Sequence, residues 1–297
     1  MNPETPPPMH WQKVALIGVG LLGGSLGLAL KKRGLATRVE GYVRREASVA
    51  GCEQAGAVDR ASTDLASVVT GADLVVFCTP LGQMKELAER LAPHLRKGAL
   101  VTDVGSVKGS VCRDLTPIIA AAGGEFVGSH PMAGGEKMGV GAARAELFEN
   151  TVCVVTPASD AQAASAKQLA EFWKAMGSCI LMLSPENHDE LVARSSHLPH
   201  LVASALATSV LAPELPSAIQ KLCATGFRDT TRVASGSPEM WRDIALANRA
   251  QLSRVLGEVT ADLERLRSLL DAGDAIALEK FFTVAKQRRD AWGNQRS

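Results

Sequence analysis

An uninterrupted apolar run, VALIGVGLLGGSLGLAL, occupies residues 14–30 near the start of the chain. A membrane-spanning helix needs about 20 apolar residues, and each glycine in a helix interior costs roughly 1 kcal/mol. This run is shorter and contains Gly18, Gly20, Gly23, Gly24 and Gly27. The preceding MNPETPPPMHWQ has an acid and four prolines where a signal peptide has a basic head. The run therefore predicts a buried strand followed by a helix, in a chain with no membrane segment.

The glycines of this run fit a strand-to-helix turn that binds a dinucleotide. KVALIGVG has the pattern of a strand buried on both faces, and LLGGSLGLALKKRG that of a helix with a basic end and a glycine stop. Gly18, Gly20 and Gly23 form GxGxxG, which permits a tight turn, close approach of a pyrophosphate and close helix–strand packing. Leu21 and Leu22 begin the helix, whose N-terminal N–H groups face the anion. We expect these five residues to bind the cofactor; a glycine-rich turn of another α/β protein is the alternative.

The end of the second predicted strand bears on the choice between NAD and NADP. An acid about 20 residues after the glycines would hold the ribose hydroxyls of NAD. The chain has RVEGYVRREAS there, with Val43 near the position of the acid and Arg44 and Arg45 directly after it. Because two guanidinium groups suit a ribose 2′-phosphate, the sequence favours NADP over NAD. A solvated arginine loop is the alternative.

Strand and helix patterns alternate as far as Ser184. Further strands are predicted over 74–80, 99–106, 125–131, 151–157 and 179–184, with helices near 82–95, 107–122 and 161–176. This order predicts an α/β fold with a Rossmann-type, doubly wound parallel sheet, extended beyond six strands, over residues 13–184.

Residues 185–297 have a helical pattern instead. Amphipathic stretches lie around 186–210 and 238–271, and a last helix ends near Arg289. We expect an all-helical substrate and dimerisation domain that forms a homodimer, because its apolar surface has no sheet to cover. Residues 1–12 are expected to be a disordered tail.

Net charge and cysteine usage limit the kinds of partner and the cellular compartment that we expect for this chain. The formal net charge is +1 with acids and bases interspersed, so no nucleic-acid partner is indicated. The six cysteines lie far apart, mostly in apolar runs, without a CxxC pair. That usage is typical of reduced thiols in a cytoplasmic protein. We expect a cytoplasmic protein that binds a small-molecule substrate and no membrane.

Polar residues lie where several predicted strands end, which is where ligands of open α/β sheets bind. Thr79 and Pro80 end one strand and are expected to contact the cofactor. His130 ends another, before a glycine-rich loop, where a neutral imidazole can take a proton from a substrate hydroxyl. A buried structural histidine is the alternative. Ser106, after an adjacent strand, is placed to bridge His130, the substrate and the nicotinamide.

The helical part adds two histidines and two arginines. His197 and His200, in RSSHLPHLVA, have a spacing that allows shared metal ligation, but no third ligand is evident. We therefore predict no metal site and favour a polar substrate contact or a core pair. Arg228 and Arg232 lie in a loop-like stretch where guanidinium groups suit carboxylates. Pairing of one of them with Asp229 is the alternative.

Five motifs together resemble those of the prephenate/arogenate dehydrogenase family of tyrosine biosynthesis. They are GVGLLGGSLGLAL, DVGSVK, SHPMAGGE, SSHLPH and GFRDTTRVA, in this order, and the resemblance covers nearly the whole chain from Lys13. SHPMAGGE followed by SHLPH is far more specific than GxGxxG. The resemblance implies a dinucleotide domain followed by a helical dimerisation domain, in agreement with the pattern of the chain.

The resemblance also implies residue roles. His130 would be the base on the ring hydroxyl of a cyclohexadienyl substrate, with hydride transfer from the same carbon to the nicotinamide and loss of the ring carboxylate as carbon dioxide. Ser106 would hold His130 and the substrate in register with the cofactor. The products would be tyrosine from arogenate or 4-hydroxyphenylpyruvate from prephenate. The implied substrate contacts, with Arg232 preferred to Arg228, are His200, Arg232, Ser196, His197 and Glu136.

Two other functions stay open. A dehydrogenase of the β-hydroxyacid or 6-phosphogluconate type shares the domain pattern, but would carry a catalytic lysine on an early helix of the second domain, and residues 185–220 contain no lysine. A non-catalytic NADP-sensing protein would not need His130, His200 and Arg232 to converge. Prephenate and arogenate differ in a keto or amino group, and no residue type in the chain decides between them.

Overall fold

A computed structural model describes residues 10–135 and 137–294 of the chain, which divides into two compact units, residues 1–248 and 249–297. The strands are β1 (Trp11–Ile17), β2 (Ala36–Tyr42), β3 (Arg60–Ser62), β4 (Leu74–Phe77), β5 (Leu100–Asp103), β6 (Glu125–Phe126), β7 (Gly128–Pro131), β8 (Val152–Thr156) and β9 (Cys179–Met182). The helices of the first unit are α1 (Leu21–Lys32), α2 (Val49–Gln54), α3 (Leu65–Val69), α4 (Leu81–Leu91), α5 (Gly109–Ala121), α6 (Ala163–Ala175), α7 (Pro185–Val192), α8 (Leu198–Val210), α9 (Ala218–Leu222), α10 (Thr225–Thr231) and α11 (Pro238–Ala247). The second unit contains α12 (Arg249–Asp271) and α13 (Ala275–Asn294), which pack against each other.

The first unit is built on a parallel sheet with the strand order β3-β2-β1-β4-β5-β6. This is the order of the Rossmann fold, so the predicted doubly wound sheet is confirmed. The carboxyl ends of the central strands are level, because Ile17 pairs with both Tyr42 and Phe77, and Phe77 pairs with Asp103. Residues that follow these strands therefore meet at one edge of the sheet.

Both faces of this sheet are covered by apolar side chains. Leu16 and Val76 belong to one buried cluster, and Ile17 and Phe77 belong to another. Successive side chains of a strand point to opposite faces, so the two clusters lie on the two sides of the sheet. Burial on both faces explains why the central strands are uninterrupted apolar runs and not alternating ones.

The extra strands form a separate sheet, β7-β8-β9, instead of extending the first one. The predicted strand over 125–131 is divided at Val127, where the chain leaves β5 and pairs antiparallel with β8. Gly128 allows this change of partner, because a Cβ there would lie 2.6 Å from Oγ1 of Thr156 and 2.8 Å from Sγ of Cys112. Close backbone approach of this kind needs glycine.

The boundaries of several predicted segments also differ. β1 begins at Trp11, inside the predicted tail, and its backbone N–H donates to Leu35 O; residues 1–9 lie outside the described residues. The predicted helical stretch 186–210 contains a π-helical turn at Ala193–His197. The stretch 238–271 is interrupted at Asn248, whose side-chain amide donates to the backbone oxygen of Asp189 at 2.8 Å. Tertiary contacts of this kind cannot be read from helical periodicity. No helix within the described residues has the length and apolar character needed to span a membrane.

Candidate active site

The glycine turn after β1 has the geometry of a dinucleotide-binding turn. Gly18 has φ of +102°, and a Cβ there would lie 3.0 Å from the carbonyl oxygen of Cys78. A Cβ on Gly23 would lie 2.0 Å from the carbonyl oxygen of Gly18, so α1 packs on the turn only with glycine at that position. A Cβ on Gly20 would meet no atom within 4 Å. The turn thus combines two steric requirements for glycine with one open approach to the backbone.

The space beside this turn fits a bound anion. Gly20 precedes the first turn of α1 without a side-chain cap, and Leu21 and Leu22 are half-buried against the apolar core. Their side chains are thus used in packing, while the backbone at the helix start suits an anion. Across the turn, Oγ1 of Thr79 is buried and has no hydrogen-bond partner among the described residues. Pro80 follows Thr79 as the N-cap residue of α4. An unpaired buried hydroxyl is unusual, and a bound ligand would satisfy it.

A cleft of about 410 Å³ extends from the turn along the end of β2. Its lining includes Gly18, Gly20, Val43, Arg44, Thr79 and Arg90. Val43 is buried where an acid would contact the ribose of NAD, and Arg44 is exposed at the mouth. Arg90 reaches the cleft from α4 and lies 3.7 Å from the carboxylate of Glu86. Arg45 is exposed and is not part of the lining.

His130 lies on β7, opposite Val154 of β8, and is buried. Its Nδ1 is 2.8 Å from Nε2 of His188, whose own Nδ1 is 2.8 Å from Oδ1 of Asp189. Burial lowers the pKa of His130 well below its ordinary value, and positive charge on His188 or Lys108 would lower it further. The imidazole is therefore neutral at physiological pH, the form that a general base needs.

A buried ion pair supports the strand that carries His130. Lys108 and Asp103 have fully buried side chains and are in direct contact. Nζ of Lys108 also donates to the backbone oxygen of Ser129 at 2.8 Å, and Asp103 accepts the Ser129 N–H at 3.2 Å. Burial raises the pKa of Asp103, an effect that Lys108 opposes. The hydroxyl of Ser129 accepts from Nε1 of Trp173 at 3.0 Å. These bonds hold β7 beside the end of β5.

Ser106 follows β5 and is half-buried. In the described part of the chain, no hydrogen bond joins its side chain to His130, whose Nδ1 faces His188 instead. The Ser106 backbone lies beside His197. Burial lowers the pKa of His197 to about 4, an effect that the Asp189 carboxylate opposes. The structure thus brings Ser106, His197 and the His188–Asp189 pair together.

His200 and Ser196 lie one turn apart. Nδ1 of His200 donates to the backbone oxygen of Ser196 at 3.0 Å, and its ring stacks on Trp241 with centroids 3.8 Å apart. His197 contacts the same indole edge-on. Arg232 is exposed at the start of a 3-10 turn that packs against α8, the helix of His200. Glu136 lies outside the described residues.

The two closely spaced histidines make other contacts and share no third ligand. Among residues 10–135 and 137–294, no group of three histidine, cysteine, aspartate or glutamate side chains is arranged to hold a metal ion.

Comparison with known proteins identifies the family. Residues 26–182 match the family model described as "Prephenate dehydrogenase, nucleotide-binding domain", and residues 184–284 match "Prephenate dehydrogenase, dimerization domain". The chain belongs to the prephenate dehydrogenase family. This confirms the resemblance found in the motifs, and it makes the chain a dehydrogenase whose C-terminal part is of the dimerization type.

Individual relatives of the family match over most of their length. The prephenate dehydrogenase of Bacillus subtilis is 35% identical over 93% of this chain and 75% of its own length. The cyclohexadienyl dehydrogenase of Zymomonas mobilis is 34% identical over 94% of this chain and 95% of its own. The crystal structure of prephenate dehydrogenase from Aquifex aeolicus, in complex with hydroxyphenyl propionate and NAD+, has a TM-score of 0.88 at 31% identity and covers 94% of this chain and 98% of that one.

Several residues of the candidate site were not predicted from the sequence. Asp103 and Lys108 are the first and last residues of the DVGSVK motif, but only the structure shows that they form a buried pair. His188 and Asp189 lie in a charged segment, ENHDE, that has the pattern of a solvated helix face. Arg90 is one of several charged residues on α4. In each case the sequence shows the residue type, but only the structure shows whether the side chain is buried and which residue it faces.

Proposed function

We propose that this chain catalyses the NADP-dependent oxidative decarboxylation of arogenate, prephenate or both, giving tyrosine or 4-hydroxyphenylpyruvate. The observation that carries the proposal is the buried, neutral His130 held beside the end of β5. The names of the relatives support a cyclohexadienyl substrate, and the Aquifex aeolicus complex with NAD+ supports a nicotinamide cofactor. A sensor without catalysis would have no use for such a base.

The proposed chemistry requires a base at the ring hydroxyl of the substrate. His130 accepts the hydroxyl proton while the C–H bond at the same carbon breaks with its electron pair. The bond from the ring to its carboxylate then breaks, releasing carbon dioxide and leaving an aromatic ring. The nicotinamide, when bound, would supply the hydride acceptor. His130 returns the proton to the phenol oxygen, so the overall reaction releases no proton. Aromatisation is strongly favourable, and the protein mainly positions the reacting groups.

Polar residues of the SHPMAGGE, SSHLPH and GFRDTTRVA motifs, together with Ser106, are proposed to hold the substrate. Because Nδ1 of His200 already donates to the Ser196 backbone oxygen, His200 would bind a carboxylate by donating from Nε2 as a doubly protonated imidazolium. Arg232 would bind a carboxylate by bidentate pairing. Ser106 would position the substrate hydroxyl near His130. Ser196, His197 and Glu136 complete the proposed substrate contacts.

The proposed cofactor preference rests on the cleft beside the glycine turn. Gly18, Gly20, Leu21, Leu22 and Gly23 would hold the pyrophosphate, with Thr79 and Pro80 beside them. Apolar Val43 cannot accept hydrogen bonds from ribose hydroxyls, whereas Arg44 and Arg90 line the cleft and suit a 2′-phosphate. Arg45 would add positive charge at the mouth. NADP is therefore the proposed cofactor.

We also propose that the chain forms a homodimer through its helical part. The dimerization-domain match over residues 184–284 supports this assembly. Large apolar side chains are exposed on helices of that part, including Leu222, Leu246, Leu263, Leu270, Ile276 and Phe282. Exposed apolar side chains of this number favour an interface. Location in the cytoplasm stays a prediction from cysteine usage.

Initial-rate measurements with each substrate and each cofactor test the proposal. We expect reduction of the cofactor with at least one of arogenate and prephenate, with one carbon dioxide released per hydride, and faster turnover with NADP than with NAD. Turnover of neither substrate with either cofactor would refute the function. A preference for NAD of tenfold or more would refute the cofactor assignment and leave the reaction standing.

A further inference from the structure

His130, His188 and Asp189 form a hydrogen-bonded chain behind the proposed base. The structure assigns to His188 and Asp189 the role of positioning residues: they fix the ring tautomer of His130 so that Nε2 is the atom that takes the substrate proton. The catalytic part of this inference rests on the proposed function. The tautomer itself depends only on the contacts of these three side chains.

The contacts of Asp189 determine which atom donates in each hydrogen bond of this series. Its Oδ1 accepts the backbone N–H of Lys108 at 2.7 Å, and its Oδ2 accepts that of Gly109 at 2.8 Å. These two N–H groups lie at the start of α5, where the helix dipole favours negative charge. Both oxygens of Asp189 are thus acceptors. Nδ1 of His188, 2.8 Å from Oδ1, must be the donor in this contact.

The second contact then has one possible direction. A neutral imidazole has one N–H and one acceptor nitrogen, so His188 with a proton on Nδ1 presents an acceptor at Nε2. Burial lowers the pKa of His188, which favours this neutral form. Nδ1 of His130 lies 2.8 Å from that acceptor and must carry its proton. Nε2 of His130 is left with the lone pair.

The opposite tautomer of His130 is disfavoured by the same geometry. With its proton on Nε2, His130 would turn a lone pair toward the lone pair of His188 at 2.8 Å. Both rings are buried, His188 completely, so water cannot readily relieve that contact. Nζ of Lys108 is directed to Asp103 and the Ser129 backbone oxygen, and within the described residues no hydrogen bond joins it to either ring. Holding a catalytic imidazole in one tautomer is the established role of an aspartate in serine proteases.

Long-range ¹H–¹⁵N NMR of the full chain labelled with ¹⁵N-histidine tests the tautomer without substrate or cofactor. The His130 signals are identified by their loss in His130→Asn. We expect protonated Nδ1 and unprotonated Nε2 at neutral pH in the wild type. Asp189→Asn, which offers an amide donor to His188, is expected to shift His130 toward the Nε2–H form. A wild-type His130 protonated on Nε2 would overturn the inference, whatever the enzyme's activity.

Steady-state kinetics of His188 variants test the consequence for catalysis. We expect His188→Leu to lower kcat by about 10–100-fold without changing the KM of the substrate or the Kd of NADP. His188→Gln, whose amide oxygen can accept from Nδ1 of His130, is expected to recover part of kcat. His94→Gln, at an exposed histidine, is the control and should match the wild type. A folded His188→Leu with wild-type kcat, or one changed only in KM, would overturn the catalytic role; if this variant does not fold, the NMR result decides.

Discussion

A Cβ atom on Gly23 would lie 2.0 Å from the carbonyl oxygen of Gly18. The start of α1 therefore touches the turn that precedes it, and the first and third glycines of the motif form one steric unit. Gly20, between them, has open space on its Cβ side. Loss of a glycine should have different consequences at these positions.

Gly23→Ala is expected to destabilise the protein by about 1–3 kcal/mol, because α1 must move away from the turn. Gly20→Ala is expected to keep near wild-type stability and to weaken NADP binding, because its methyl group would occupy the space left for the pyrophosphate. Chemical denaturation and cofactor titration separate the two effects. Gly51→Ala, on exposed α2 with no atom near the added Cβ, is the control. Equal stability losses for Gly20→Ala and Gly23→Ala would contradict this account.

Arg44→Ser is expected to lower kcat/KM for NADP by about 10–100-fold, because a charge-assisted hydrogen bond to the 2′-phosphate contributes roughly 1.5–3 kcal/mol. The same change should leave kcat/KM for NAD nearly unaltered. Arg45→Ser is the matched comparison and should lower kcat/KM for NADP less than Arg44→Ser does, since Arg45 is exposed and is not part of the cleft lining. The assignment fails if Arg44→Ser slows the reaction equally with both cofactors.

Lys108→Met is expected to lower the free energy of unfolding by about 3–5 kcal/mol, because it leaves the carboxylate of Asp103 buried without its cation. Adding Asp103→Asn should recover part of this loss by removing the buried charge. Urea denaturation of the two variants measures both effects. The pair has no such role if Lys108→Met unfolds at the wild-type urea concentration.

Stability is expected to fall as the pH decreases from 6.5 toward 4. Burial lowers the pKa of His197 to about 4 from an ordinary value of 6.5. The unfolded chain therefore binds a proton in this range that the folded chain does not. The contribution of His197 to stability is full above pH 6.5 and is lost progressively as the pH falls toward 4. The shift corresponds to roughly 3 kcal/mol. The pKa values of His130 and His188 are also lowered, so these two residues add to the loss of stability on acidification.

Urea denaturation of the wild type and of His197→Gln across this pH range checks the prediction. The variant should lose less stability on acidification. Because both proteins contain the same carboxylates, subtracting one curve of unfolding free energy against pH from the other cancels their contribution. Parallel curves would show that His197 does not contribute.

Much of the fold was accessible from the sequence because its signals are local. GxGxxG between an apolar strand and a small-residue helix predicted the β1–α1 turn, and the alternation of patterns predicted the parallel sheet. The three-residue strand β3 was missed because so short a segment shows no periodicity. The second sheet was missed because the change of partner at Gly128 depends on contacts with Thr156 and Cys112, both distant in the chain.

The residues of the candidate site also divide into those that local motifs predict and those that only the structure reveals. His130, His200 and Arg232 could be predicted as candidate site residues because they lie in motifs. The role of His188 could not be found, since a histidine beside an aspartate on a helix has the same pattern whether it faces solvent or a second histidine. Only the 2.8 Å contact with His130 distinguishes the two cases. Ser106 was expected to hold His130. In the structure, the side chain that contacts Nδ1 of His130 is His188.

The turnover number of His130→Asn tests the central claim most directly. Asparagine can still donate to His188 from a position near Nδ1, but it cannot accept the substrate proton. With the substrate that the wild type turns over and saturating NADP, we expect kcat to fall by about 10²–10⁴-fold while the Kd of NADP is unchanged. A folded His130→Asn enzyme with wild-type kcat would contradict the assignment of His130 as the base.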